Sequence, residues 1–242
     1  MNHNRLFSAI DKVIFDFDLL KPGDRILIGA SGGKDSCALI EYFANRKKRP
    51  GADFEFTALH VNSDFAPPMP PSIIKLFKEW EVDYREIDVN VLGRLKEGKK
   101  MSCYWCSSQR RLELNRYAQE NGYNKLALGH HMDDVLETLF MNMLQKAQMS
   151  TMIPSLKYDK FPVTVIRPLY YSMESTIIEH AKEAGYYGFT CTCNYQENST
   201  RKSARSKIAL LTDNDPNLKQ HLFDSLQNIN YEYLPHKVSD ES

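Results

Sequence analysis

The sequence contains no stretch of about 18 or more apolar residues, so it offers no candidate membrane-spanning helix. It has no excess of charge: 31 Lys and Arg stand against 31 Asp and Glu, for a formal net charge of zero. A nucleic-acid binder usually carries a basic surplus, so any such surface here must be a local patch within a neutral total. The phosphate-binding pattern G-x-x-x-x-G-K-[ST] is missing, and so is the G-x-G-x-x-G dinucleotide fingerprint. No internal repeat is visible. There is no second C-x-x-C to complete a four-cysteine zinc site. The cysteines number five, and an odd count argues against a disulfide framework, leaving ligands, reactive thiols or core residues. The opening MNHNRLFSAIDKVIFDFDLL lacks the basic start and continuous apolar core of a secretory leader. A cytoplasmic protein with no membrane partner is expected.

What is present is an ordinary globular composition of 242 residues, 42% hydrophobic and 26% charged, enough for one substantial domain with a small appendage. The most informative stretch is ILIGASGGKDSCALIEYF (26–43). ILIGA has the continuous apolar character of a buried parallel strand. CALIEYFAN places apolar residues at helical spacing. SGGKDS lies between them, so the unit reads strand, glycine turn, helix. Gly32 and Gly33 can take backbone angles closed to other residues. Successive N–H groups can then face one concavity beside the positive end of a helix dipole, which makes an anion site. The plainer alternative is a tight turn with Asp35 or Ser36 as N-cap.

The rest of the chain alternates strand and helix. Leu6, Phe7, Ile10, Val13, Ile14 and Phe17 share one face of a helix over 5–20. FEFTALHVN (54–62) reads as a strand, IIKLFKEWEV (73–82) as a helix and DYREIDVN (83–90) as a strand. A basic segment LGRLKEGKK (92–100) precedes a helix opened by CYWC. KLALGHHMDD is a strand, a turn at Gly129 and a helix start. VTVIRPLYY (163–171) is a further strand, SMESTIIEHAKEAGY (172–186) a helix with a capping-box-like start, and a basic helix runs within 189–211. A last helix, LKQHLFDSLQNI, leads into a polar tail. This alternation predicts an α/β fold, a parallel sheet with helices on both faces. Ligands in such sheets bind beyond the carboxyl ends of the strands, where SGGKDS and GHHMDD both fall. Domain limits of 1–211, with an inserted cysteine segment at about 92–116, and 212–242 for the helix and tail follow.

Asp133 and Asp134 are adjacent carboxylates, costly unless something positive stands beside them. A Mg²⁺ carried with a phosphate ligand fits, although the pair could also simply cap the helix. Cys103 and Cys106 form a C-x-x-C that suits a redox pair, half a zinc site or two ligands of an iron–sulfur cluster. The later pair, Cys191 and Cys193, has C-x-C spacing. Three cysteines on a cluster leave one iron open, and an open iron can bind sulfide. Cys37, inside the helix after SGGKDS, is a small residue that faces core or cleft.

SGGKDS resembles the signature of the PP-loop family, the ATP pyrophosphatases of adenine nucleotide alpha hydrolase-like fold. CYWC followed by SSQRR, GHHMDDVLETLFMNML, IRPLYY and CNYQENSTR occur with it in one order, and together they resemble the TtcA-type tRNA 2-thiocytidine synthetases over roughly residues 5–210. The resemblance implies a transferase using ATP, Mg²⁺ and a [4Fe–4S] cluster to thiolate an anticodon-loop cytidine, 2-thiocytidine at tRNA position 32. It implies ATP-binding roles for Ala30, Ser31, Gly32, Gly33, Lys34, Asp35, Ser36, Gly129 and Asp134, with Leu59, His60 and Val61 beside the adenosine. Lys34 becomes the phosphate clamp and a catalytic residue together with Asp35 and Asp133. Cys103, Cys106 and Cys193 become cluster ligands, with Cys191 as the alternative third. Arg94, Lys96, Lys99, Lys100, Arg110, Arg111, Arg201, Lys202 and Arg205 are candidates to hold the tRNA backbone. Implied partners are tRNA and a sulfur donor such as a cysteine desulfurase, and a homodimer is left open. Within the same family, a lysidine-synthetase-like ligase, or a thiolase for another base or a small molecule, is the alternative.

Overall fold

The computed structural model describes residues 4–64, 66–95, 98, 101–188 and 200–235, excepting the side chain of Cys103. Among these residues the chain runs α1 (Arg5–Asp16), β1 (Asp24–Gly29), α2 (Lys34–Lys47), β2 (Phe54–Ser63), α3 (Pro71–Glu79), β3 (Asp83–Val89), α4 (Cys103–Glu120), β4 (Lys125–Ala127), α5 (Met132–Lys146), β5 (Ser155–Lys157), β6 (Thr164–Ile166), α6 (Glu174–Glu183), α7 (Thr200–Leu211) and α8 (Pro216–Asp224). The strands form one six-stranded sheet in the order β3-β2-β1-β4-β6-β5. Every pairing is parallel except the β5–β6 hairpin at one edge. The chain builds outward from β1 to β3 and then returns to lay β4 on the other side of β1. That reversal opens a crevice between the carboxyl ends of β1 and β4, where ligands of such sheets bind.

Alternation along the strands sends side chains to two cores. Ile26, Ile28 and Ala58 meet buried residues of α1, α2, α5 and α6 on one face. Leu27, Leu59, Val61, Leu126 and Val165 meet Leu114 and Ala118 of α4 on the other. The sheet is therefore covered on both faces, as expected, and α4 lies over the second. The last helix is packed onto the main body: Phe223 of α8 is 2% exposed within the larger core.

The boundaries depart from the sequence reading where local chemistry intervenes. The first helix stops at Asp16 rather than 20, because Asp18 turns left-handed (φ 48°) and Leu19 N–H closes back on the Ile14 carbonyl at 3.0 Å. The third helix begins at Pro71, where a missing N–H costs nothing. The strand expected over 163–171 ends at Ile166, since Pro168 has no N–H for a ladder. Its antiparallel neighbour β5 is too short for periodicity to reveal. Ser172 does not open a capping box, because α6 starts on Met173 with no side-chain cap of its own. The tail from residue 236 and the whole stretch from 189 to 199 fall outside the described residues.

The crevice depends on close backbone approach at Gly129. A Cβ there would lie 3.2 Å from the Asp35 carbonyl carbon and 3.3 Å from its Cβ. Gly129→Ala must push α2 away from α5 and is expected to cost about 1–3 kcal/mol as overpacking. Urea unfolding of the variant checks this; an unchanged midpoint would contradict the close approach.

Candidate active site

The SGGKDS turn joins β1 to α2 and is closed by its own hydroxyls. Gly33 is the N-cap of α2, with φ −78° and ψ 162°, in place of Asp35 or Ser36. Gly32 stands in the left-handed region at φ 80°, and a Cβ there would come within 3.0 Å of Met69 Sδ. Ser36 Oγ donates to the Gly33 carbonyl at 3.0 Å and accepts the Ser31 amide at 3.2 Å. Ser31 Oγ lies 3.0 Å from it and accepts the Gly33 amide at 3.3 Å. The amides of Lys34, Asp35 and Ser36 open the helix, where no intrahelical acceptor is in reach, at the positive end of the dipole. An anion arriving here meets donors already in place.

Beside this turn lies a cavity of about 330 Å³ at the carboxyl ends of β1, β2 and β4. Leu59, Val61, Leu114 and Leu128 give it an apolar part. Ala30, Ser31, Asp35, Ser36, Gly129, His130 and Asp134 give it a polar wall. Helix α4 closes it with Ser107, Arg110, Arg111 and Leu114, residues at helical spacing on one face. His60 is not part of that wall. Alternation turns it to the opposite face, where it is buried with Nδ1 2.7 Å from the Ala30 carbonyl. Burial holds its pKa below the ordinary value, so the neutral ring donates to that carbonyl and steadies the first residue of the turn. Leu59 and Val61 line the cavity.

Around the polar wall, five carboxylates and five cations interlock. His131, 3% exposed, has ring nitrogens 3.9 Å from Asp35, 3.6 Å from Asp133 and 3.5 Å from Asp134. Burial alone would lower its pKa, but these three carboxylates outweigh burial and raise it, favouring the protonated ring. Its neighbour His130 behaves oppositely: burial, with Arg167, Arg111 and Arg201 opposing Asp134, pushes it down to about 3. Asp134 Oδ2 accepts the His131 amide at 3.1 Å, one half of a capping box, while Oδ1 accepts Arg201 at 2.7 Å. Glu137, fully buried on α5, accepts Arg205 Nε at 2.6 Å. Glu174 accepts Lys34 Nζ at 2.9 Å and lies 3.3 Å from Arg205.

The two aspartates of GHHMDD have different work. Asp134 faces the cavity. Asp133 turns away from it, accepting the Glu174 amide at 2.7 Å and Lys219 Nζ at 2.9 Å. It thereby caps α6, which has no cap of its own, and fastens α8. Burial opposes its ionisation, but His131, Lys219 and the Glu174 amide hold it far below the carboxylate range. Lys34 is raised above its ordinary value by Asp35 and Glu174 despite burial, and it lies outside the cavity wall. Asp35 is raised, because burial exceeds the help from His131 and Lys34.

Cys103 and Cys106 open α4 directly ahead of its cavity-lining turns, with Ser102 as N-cap accepting the Trp105 amide at 3.2 Å. A helix N-terminus favours thiolate. Cys37 is fully buried in the main core, where burial pushes its thiol up to about 12. Cys191 and Cys193 lie outside the described residues, as do Lys96, Lys99 and Lys100. Among the described residues no group of three His, Cys, Asp or Glu could hold a metal by itself. Of the basic candidates, Arg110 and Arg111 reach the cavity, Arg201 and Arg205 are spent on Asp134 and Glu137, and Arg94 pairs with Glu113 at 2.7 Å. Lys202 is exposed on α7.

Sequence reasoning missed Glu137, Glu174, Lys219 and Arg167. The signal for Glu137 was a charge on the apolar stripe of VLETLF. Arg167, at the end of β6, is 6% exposed, donates to the Ile153 carbonyl at 2.5 Å and helps keep His130 neutral. Lys219 and Glu174 come from elements remote in sequence, and no local pattern marks them.

A family model described as a PP-loop domain matches residues 3–211. A tRNA-cytidine(32) 2-sulfurtransferase of Methylobacillus flagellatus is 34% identical over 236 residues, covering 96% of this chain and 78% of the relative. One from Acaryochloris marina is 34% identical and covers 95% and 83%. Among solved structures, a U34-tRNA thiolase from Methanococcus maripaludis with its [4Fe–4S] cluster superposes with a TM-score of 0.74 at 24% identity, over 98% of this chain and 82% of that one. It supports the fold drawn above.

Asp133→Ala is expected to remove about 2–3 kcal/mol, since it leaves the α6 amide and the Lys219 ammonium without their partner. A carboxyl held below its unfolded value contributes stability above the carboxylate range and loses it as pH falls. The wild-type protein should therefore lose stability on acidification more steeply than the variant. Urea midpoints at neutral and acid pH measure both; equal acid sensitivity would contradict the role given to Asp133.

Proposed function

Because the chain belongs to the PP-loop domain family, and within it to the tRNA-cytidine 2-sulfurtransferases, we propose that it thiolates a cytidine of the tRNA anticodon loop, forming 2-thiocytidine at position 32. The observation that carries this reading is the double use of α4. One helix opens with the Cys103–Cys106 pair and then lines the nucleotide cavity with Ser107, Arg110 and Arg111. Activation and sulfur chemistry are thus set a few helical residues apart.

The apolar part of the cavity suits an adenine, and the first-turn amides of α2 suit the phosphates that follow it. Asp35 and Asp134 are hard oxygen donors on one wall, the donor set Mg²⁺ takes. They are its proposed holders, in preference to Asp133, whose oxygens serve α6 and Lys219. Lys34 reaches a phosphate by exchanging Glu174 for it. Cytosine O2 attacks the α-phosphorus of ATP, the bond to the β-phosphate bridging oxygen breaks, and pyrophosphate leaves with the electron pair. Sulfide then attacks C2 of the activated base and AMP departs, leaving the C2 thione. Arg110 and Arg111 offset charge that develops at the cavity mouth.

Cysteine thiolates are the ligands a [4Fe–4S] cluster takes, and a helix start is a place where they form. Cys103 and Cys106 would hold it, with Cys193, or Cys191, as the third ligand. Such a cluster supplies an open iron where sulfide can be bound. The sulfur itself is proposed to come from a cysteine-derived donor such as a desulfurase. Among the described residues no helix is long and apolar enough to cross a membrane, and a cytoplasmic setting with tRNA as partner accords with the reaction.

The test is anaerobic incubation of reconstituted protein with tRNA, Mg-ATP and sulfide, followed by nucleoside mass spectrometry. The expected products are 2-thiocytidine, AMP and pyrophosphate in equal amounts. Cys103→Ala is expected to abolish thiolation and leave ATP affinity within about twofold, since the cavity does not depend on it. ADP and phosphate as products, or a Cys103→Ala protein that no longer binds ATP, would overturn the proposal.

A further inference from the structure

Tyr104 lies between the two cysteines that open α4 and is 81% exposed. Its neighbour Trp105 is turned inward, packed against the second core with Nε1 3.5 Å from the Val91 carbonyl. An isolated exposed aromatic is unremarkable in itself. The position of this one is not, because residues 104, 107, 111 and 114 form a single row along the helix. Ser107, Arg111 and Leu114 of that row line the nucleotide cavity. Tyr104 extends it outward, its Cα about 4.5 Å beyond that of Ser107 along the helix axis. Its backbone is pinned: the Tyr104 carbonyl accepts Ser107 Oγ at 3.0 Å and Ser108 Oγ at 2.7 Å. The Ser102 cap holds the same turn from the other end.

We propose that Tyr104 is the stacking platform for the target base, an unpaired cytidine drawn out of an RNA loop; this rests on the thiolation reading above. Chemistry at C2 of a cytosine needs the base out of its stack, and an unstacked base loses its neighbours' π faces. An aromatic ring on a rigid helix end restores one. Stacked on Tyr104, the base edge would point along the row toward the cavity, where activation occurs. Arg110 and Arg111 stand behind it for the flanking phosphates. The hydroxyl of Tyr104 has no part in this, so the ring alone is what matters.

The prediction is a split by ring chemistry. Tyr104→Leu should raise KM for tRNA about tenfold or more, the worth of one base–aromatic stack, with KM for ATP and iron content unchanged. Tyr104→Phe should match the wild type. A readout independent of turnover uses an anticodon-loop hairpin with 5-iodocytidine at the target position, irradiated in complex with the protein. The cross-link should map to residue 104 in the wild type and the Phe variant and vanish in the Leu variant. Equal tRNA KM for Tyr104→Leu, failure of Phe to substitute, or a cross-link on another residue would overturn the assignment while wild-type thiolation stands. A wild type that makes no 2-thiocytidine would instead bring down the thiolation reading, and this assignment with it.

Discussion

A buried histidine facing three carboxylates is the constraint on which the rest of the site depends. Asp35 comes from α2, and Asp133 and Asp134 from α5, and all converge on His131 within 3.9 Å. Carboxylates so placed repel one another strongly when little water is present. Lys34, Arg201, Arg205 and Lys219, with His131, stand against the carboxyl groups of Asp35, Asp133, Asp134, Glu137 and Glu174. The attraction of these carboxylates for the His131 proton, which raises its pKa, helps Asp35 and Asp134 share one cavity wall without forcing α2 and α5 apart.

The same network ties the cavity to the C-terminal part of the chain. Arg201 and Arg205 fasten α7 to Asp134 and Glu137, and Lys219 fastens α8 to Asp133. Helix α7 follows directly on the stretch that contains Cys191 and Cys193. Any ligand that drew on Lys34 would compete with Glu174 for it, and one that drew on Asp134 would compete with Arg201, so the cavity wall and the seating of α7 share residues.

Much of this was legible in the residues. ILIGA followed by SGGKDS fixed a strand, a turn needing Gly32 and a helix start, because apolar runs and left-handed glycine positions are local properties. Leu59, His60 and Val61 were singled out through the family resemblance; the two-residue period of the strand sends the Leu59 and Val61 side chains to the cavity and that of His60 to the opposite face. The division of work between Asp133 and Asp134 could not be read, because it is set by Lys219 and the Glu174 amide, groups from distant elements. The N-cap at Gly33 was likewise invisible: Ser36 looked like a cap by type, but its hydroxyl is spent on closing the turn with Ser31.

The charge state of His131 is the central electrostatic property of the site. A ¹⁵N-resolved NMR titration of the histidine side chains, with His131→Gln to assign the resonance, measures it directly. The account predicts that both His131 nitrogens carry protons at neutral pH, with a midpoint above the ordinary 6.5, while His130 stays neutral down to strongly acid pH. A neutral His131 at neutral pH, or a midpoint below 6.5, would contradict it.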